Sequence, residues 1–179
     1  MPEINMAADS TENIALHLLD ALAAQGKTLT CAESCTGGLV SSMLTAIPGA
    51  SRAFHAGFVT YSNAMKTAML GVQASTLVQY GAVSEQTVRE MAQGALQRSG
   101  ADYAIALSGI AGPDGGKEEK PVGTVWIAWG TATRLCAQHF LFDGSRQQCQ
   151  QRAATTALNL LYRTALTDGD TITPPDDSI

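Results

Sequence analysis

Apolar residues recur at helical spacing near the start of the chain. Ile14, Leu18 and Leu22 share one face, Ser10 or Thr11 offers a cap and Gly26 a stop, which predicts a helix running to about Gln25. Lys27–Ala32 reads as a strand, Glu33–Gly38 as a turn, and a short helix follows through Leu44 and Ala46 to Pro48-Gly49. Phe54–Tyr61 is a second strand. Ser62 or Asn63 caps a helix that stops at Gly71, a short helix fills Ala74–Tyr80, and Ser84 caps a longer one to about Arg98. Tyr103–Ser108 is a short apolar run of the kind that forms a buried strand. Val122–Trp129 and Leu135–Phe142 read as a hairpin joined by Gly130–Arg134. The last helix is capped by Ser145, with Ala154, Leu158, Leu161 and Ala165 at helical spacing.

Strands alternating with helices predict an α/β protein, a single-domain α/β/α sandwich. The late hairpin makes the sheet mixed. Residues 1–9 are expected to be loose, 10–166 to form the folded domain, and the polar, proline-containing 167–179 to be a flexible tail.

Composition narrows the picture. Of 179 residues 45% are hydrophobic and 15% charged, enough apolar material for one core and too little charge for disorder over the whole length. No run of apolar residues is long enough to span a membrane. Met1–Asp9 has neither the basic start nor the apolar run of a secretory signal, so the expected compartment is the cytoplasm, with Cys31, Cys35, Cys136 and Cys149 as free thiols. The net charge of −5 comes without a basic stripe, which argues against nucleic acid as a partner. His17, His55 and His139 are scattered and no Cys/His spacing suits zinc, so neither metal nor cofactor is expected.

Four features can carry chemistry. In Glu33-Ser34-Cys35-Thr36-Gly37-Gly38 a strand runs into small polar residues and then a helix opens, an arrangement whose free N–H groups attract anions. The same turn also reads as an ordinary strand-to-helix connection with a Ser/Thr cap. With Asn63 as the cap, Lys66 falls in the first turn of its helix, where the positive end of the helix dipole disfavours an ammonium. A free lysine with a pKa near about 10.4 is neutral in roughly one molecule in 2,500 at pH 7, so burial would be needed to make it a base for a serine hydroxyl. The alternative is a surface lysine. Gly109–Gly123, with five glycines and two prolines, is either a ligand-closing loop or a surface excursion. Arg146 opens the last helix and suits a phosphate or carboxylate, or is simply a solvated end residue.

Taken in order, AESCTGG (Ala32–Gly38), the PGxS of Pro48–Ser51, GxVTYSNxxK (Gly57–Lys66), GAVSE (Gly81–Glu85) and SGIAGPDGG…EEKPVGTV (Ser108–Val125) resemble the CinA C-terminal domain family, the nicotinamide-nucleotide amidase family. The resemblance covers about Leu19 to Leu161. It implies hydrolysis of the carboxamide of nicotinamide mononucleotide to nicotinate mononucleotide and ammonia, in pyridine-nucleotide salvage, by a Ser/Lys amidohydrolase that needs no metal. It implies Ser51 as nucleophile, Lys66 as base and Tyr61 as its assistant. It also implies a substrate site that includes Ser34, Thr36, Gly37, Gly38, Ser108, Gly109, Gly112 and Arg146. The family often has Gly-Asp-Arg where this chain has Gly144-Ser145-Arg146. The nucleotide phosphate is expected near Ser34–Gly38 or on the 109–116 loop.

Many members carry an additional N-terminal domain associated with nucleotide pyrophosphatase activity. This chain is too short to include it, and that function is not carried over. Two alternatives stand beside the amidase: a catalytically silent nucleotide-binding or regulatory module, and a nucleophile at Cys35. Free nicotinamide and glutamine are alternative amides. The expected partners are a small nucleotide and, since the chain is apolar-rich, a further copy in a homo-oligomer.

Overall fold

The computed structural model describes residues 11–167. The expected loose N-terminus, the Ser10 cap and all but the first residue of the expected tail lie outside them. The described residues form an α/β/α sandwich around one five-stranded mixed sheet, as the element pattern predicts.

In chain order the elements are α1 (Thr11–Ala24), β1 (Leu29–Glu33), α2 (Leu39–Thr45), a single 3-10 turn (Ala50–Arg52), β2 (Phe54–Val59), α3 (Asn63–Leu70), α4 (Ala74–Tyr80), α5 (Glu85–Ser99), β3 (Tyr103–Gly109), β4 (Thr124–Thr131), β5 (Arg134–Leu141) and α6 (Arg146–Leu166). The sheet order is β2-β1-β3-β4-β5. β1 runs parallel to both β2 and β3, and β4 and β5 form the antiparallel hairpin.

Alternation along the strands sorts the core into two halves. Leu29 and Cys31 of β1, Tyr103, Ile105 and Leu107 of β3 and the larger residues of β4 face α1, α2 and α6. Ala32, Ala104, Ala106 and Ala128 face the other way, toward α5 and Leu70 of α3. These small side chains let α5 lie close to the sheet. Gly94 continues that close approach: a Cβ there would collide with the carbonyl oxygen of Leu70, so α5 and the end of α3 meet backbone against side-chain-free backbone.

Caps appear where hydroxyls precede the apolar pattern. The side chains of Ser62, Ser84 and Ser145 each accept an N–H from the first turn of their helix, and Ser145 with Gln148 makes a reciprocal capping box. Because Ser62 rather than Asn63 is the cap, Lys66 sits one position deeper in α3 than the alternative cap would place it. All four cysteines are free thiols. No helix among the described residues is long and apolar enough to cross a membrane.

Candidate active site

Parallel pairing of β1 with its two neighbours brings three chain segments to one end of the sheet. Beyond β1, Ser34 N–H donates to Leu107 O (3.1 Å), while Thr60 N–H donates to Glu33 O (2.9 Å). These bonds extend the ladder past the regular strands and clamp Ser34 between the ends of β2 and β3. Ligands of open α/β sheets bind beyond the carboxyl ends of parallel strands, and a cavity of about 280 Å³ lies here. Ser34, Cys35, Tyr61, Lys66, Ser108 and Arg146 contribute side chains to its wall, and the loop from Gly109 to Gly115 closes one side.

Glu33 and Ser34 diverge at the strand end. The Glu33 side chain is fully buried on the α2 side. One carboxylate oxygen accepts from Thr36 Oγ1 (2.7 Å), Gly38 N–H (3.1 Å) and Val40 N–H (3.0 Å), and the other from Ser41 N–H (2.9 Å) and Ser41 Oγ (2.8 Å). A buried carboxylate is tolerated only when its lone pairs are met, and here five donors meet them. Gly38, at φ 100°, makes the left-handed step that turns the chain into α2 and aims these N–H groups inward.

Ser34 faces the opposite side, toward α3. Lys66 is 1% exposed, and its Nζ stands 3.0 Å from Ser34 Oγ, 2.9 Å from Thr60 O and 3.3 Å from Tyr61 O. Among the described residues no carboxylate pairs with this lysine. Burial lowers its pKa from the ordinary lysine value, with a smaller opposing influence from Cys35. In the neutral amine, two N–H groups satisfy the two main-chain carbonyls and the lone pair is left for the Ser34 hydroxyl to donate to. That is the arrangement of a serine nucleophile with an amine base.

Several expected positions change. Ser51 lies exposed in the 3-10 turn before β2, beside the start of β1, where Leu29 N–H reaches Ala53 O (2.7 Å). Parallel register places that turn at the opposite end of the sheet from Ser34, so Ser51 does not meet Lys66. Thr36, Gly37 and Gly38 do not line the cavity. The Thr36 hydroxyl and the Gly38 N–H go to Glu33, and Gly37 N–H to Ser34 O (3.0 Å), so the start of α2 holds an internal carboxylate in place of a phosphate. Tyr61 turns only its main-chain carbonyl to Lys66. Its hydroxyl accepts from Arg146 Nη2 (3.0 Å), while Arg146 Nη1 donates to Gly112 O (2.8 Å). Arg146 therefore ties the β2–α3 connection to the glycine-rich loop across the cavity mouth.

Ser34, Ser108, Gly109, Gly112, Arg146, Tyr61 and Lys66 do converge on the cavity. Cys35 is there too, but burial pushes its thiol up to about 12, which keeps it protonated and weakens the thiolate alternative. Gln150 of α6 donates to Cys35 O (2.8 Å) and fixes this turn from the other side. Ala82 and Val83 carry no signal in the sequence, and Glu33 and Asp114 read there only as members of the Glu33–Gly38 turn and the glycine-rich loop, without a role of their own. A charged residue ending an otherwise apolar strand was the available signal for Glu33.

A family model for the CinA C-terminal domain matches residues 11–165. The chain is 50% identical over 159 residues to a protein of Enterobacter agglomerans named nicotinamide-nucleotide amidohydrolase PncC, covering 88% of this chain and 97% of that one. It is 54% identical over 144 residues to the protein of the same name from Escherichia coli K12, covering 80% and 87%. A CinA-like protein of Colwellia psychrerythraea is 52% identical over 160 residues, and there this chain spans 37% of the longer relative. Among solved structures, the competence damage-inducible protein A of Klebsiella pneumoniae superimposes with a TM-score of 0.87 at 38% identity, covering 90% of this chain and all of that one.

Proposed function

The chain belongs to the CinA C-terminal domain family, and on that premise we propose that it is an amidohydrolase that converts nicotinamide mononucleotide and water to nicotinate mononucleotide and ammonia. The relatives matched over nearly their full length carry that activity in their names. The observation that carries the reading is the 3.0 Å approach of a buried, carboxylate-free lysine to a serine hydroxyl at the wall of a cavity.

Ser34 Oγ attacks the carboxamide carbon as its proton passes to the Lys66 lone pair. The tetrahedral intermediate collapses with expulsion of ammonia, which takes the proton from Lys66, and leaves the nicotinoyl group esterified to Ser34. Lys66 then accepts a proton from an attacking water and returns it to Ser34 Oγ as nicotinate mononucleotide departs. The Thr60 and Tyr61 carbonyls hold the amine in place through both halves. Arg146, at the mouth, presents a guanidinium to the nucleotide phosphate.

The test is ammonia release from nicotinamide mononucleotide. Turnover by the wild type, sharply reduced in both Ser34→Ala and Lys66→Ala, supports the enzyme. Tight nucleotide binding with no turnover supports the silent binding module and rejects this reading.

A further inference from the structure

Three side chains on the cavity wall belong to charged residue types: Lys66, Arg146 and Asp114. Lys66 is engaged at the floor, and Arg146 is held by Tyr61 and Gly112. Asp114 is exposed at the rim, and among the described residues neither an ion pair nor a hydrogen bond engages its carboxylate. A bare carboxylate is out of place beside a guanidinium that is to hold a phosphate. It repels the anion and makes no polar contact within the fold.

The loop that carries it is fastened at several points. Ile110 N–H donates to Thr124 O (2.8 Å) and Gly123 N–H to Ile110 O (2.7 Å), which closes the loop at its base. Gly112 and Gly116, on either side of Asp114, lie so close to Val122 that a Cβ on either would collide with it. Arg146 Nη1 holds Gly112 O from across the mouth at 2.8 Å, and Lys120 Nζ ties the returning limb to Tyr80 O at 2.9 Å. Asp114 is two residues on from Gly112, at most about 7 Å of backbone. The carboxylate is thus presented from a fixed position near the guanidinium, a separation comparable to the reach across one ribose 5′-phosphate.

We propose that Asp114 reads the sugar of the nucleotide, its two carboxylate oxygens accepting the ribose 2′- and 3′-hydroxyls. This rests on the amidase reading of the site. With the carboxamide at Ser34 and Lys66 and the phosphate at Arg146, the ribose lies between floor and mouth, and its diol is the donor pair left for a rim carboxylate. An ionised carboxylate only accepts, and acidic side chains take ribose hydroxyls in dinucleotide-binding folds. The cationic pyridinium ring is the other group a carboxylate could meet. Its carboxamide draws that ring to the floor, away from the exposed rim. A sugar without the diol meets Asp114 only as a repelling charge, so the residue selects ribonucleotides.

Calorimetric Kd values for nicotinate mononucleotide, the product, and for its 2′,3′-dideoxy counterpart test this on wild type and Asp114→Ala, with ammonia release from nicotinamide mononucleotide measured beside them. The wild type is expected to hold the dideoxy compound about 10–100-fold more weakly, the range for hydrogen bonds to a charged group. Asp114→Ala loses that factor on the ribonucleotide and binds the dideoxy compound as the wild type does, which also shows that its cavity is intact. A wild type indifferent to the diol, a variant that still prefers it, a variant weakened equally on both compounds, or a wild type that binds neither overturns the proposal. Ammonia release separates it from the reading beneath it. Turnover without the diol pattern rejects the role of Asp114 alone, while the diol pattern without turnover rejects the amidase and keeps the ribose contact.

Discussion

Glu33 and Ser34 are consecutive residues whose side chains leave the sheet on opposite faces. Glu33 gathers the start of α2, and Ser34 meets Lys66 of α3 at 3.0 Å. One strand end thus separates a structural task from the proposed chemical one, through the two-residue alternation of β structure.

The first expectation concerns the choice of serine. Ser34→Ala is expected to lower kcat for nicotinamide mononucleotide on the order of a thousandfold or more. Ser51→Ala, at the far end of the sheet, leaves kcat unchanged. Steady-state ammonia release from the two variants checks this, and a silent Ser34→Ala would return the nucleophile to an open question.

Lys66 sets the pH dependence. In the proposed mechanism the neutral amine is the active form, and burial lowers its pKa, so kcat/KM is expected to fall as the solution is acidified, by about tenfold per pH unit below a midpoint lying under the ordinary lysine value. Lys66→Met should leave a residual rate without that limb. Stability follows the same sign. As pH falls from the ordinary lysine pKa to the lowered one, the unfolded chain gains a proton that the folded chain refuses, and stability declines across that window and levels below it. Denaturation midpoints of wild type against Lys66→Met measure the difference.

Removing the Glu33 carboxylate strands five donors inside the protein. Glu33→Ala is expected to cost at least about 3 kcal/mol in denaturant unfolding, since each unmet buried donor costs about 1–3 kcal/mol before any relaxation. Ser41→Ala removes one donor of the set and should cost far less.

Arg146 spans the mouth between Tyr61 and Gly112. Arg146→Ala should raise KM for the nucleotide by about 10–100-fold while leaving kcat nearly unchanged, the pattern of lost uniform binding. Any slow hydrolysis of free nicotinamide, which has no phosphate, should not respond. Parallel kinetics on the two amides provide the check, and equal losses on both would move the phosphate elsewhere.

Packing gives a further test. Gly94→Ala drives a methyl group into the Leu70 carbonyl, and overpacking of this kind costs about 1–3 kcal/mol. Because Leu70 ends the helix that carries Lys66, thermal melting and kcat should fall together.

The secondary structure was readable because each element carries its own local signal. Ser62, Ser84 and Ser145 cap the helices they precede, and apolar runs mark the buried strands. Lys66 was legible as a candidate base from its helical position. Its partner was not. The resemblance pointed to Ser51, closer in sequence, while the true neighbour is 32 residues away and is delivered by parallel pairing that no local pattern encodes. Glu33 escaped for a related reason: its five donors come from a turn and a helix start whose inward aim depends on the left-handed Gly38. The glycine-rich 109–115 segment was legible as functional or mobile, and only the fold brings it to the cavity.

The carboxylate lodged at the beginning of α2 has a bearing on inhibitor design. An inorganic anion gains little there, because the position is already neutralised from within. Competitive oxyanions should therefore crowd the guanidinium side of the opening. If the proposed reaction holds, analogues that vary the phosphate end report on that rim, while changes to the ring amide report on the hydroxyl and amine at the floor.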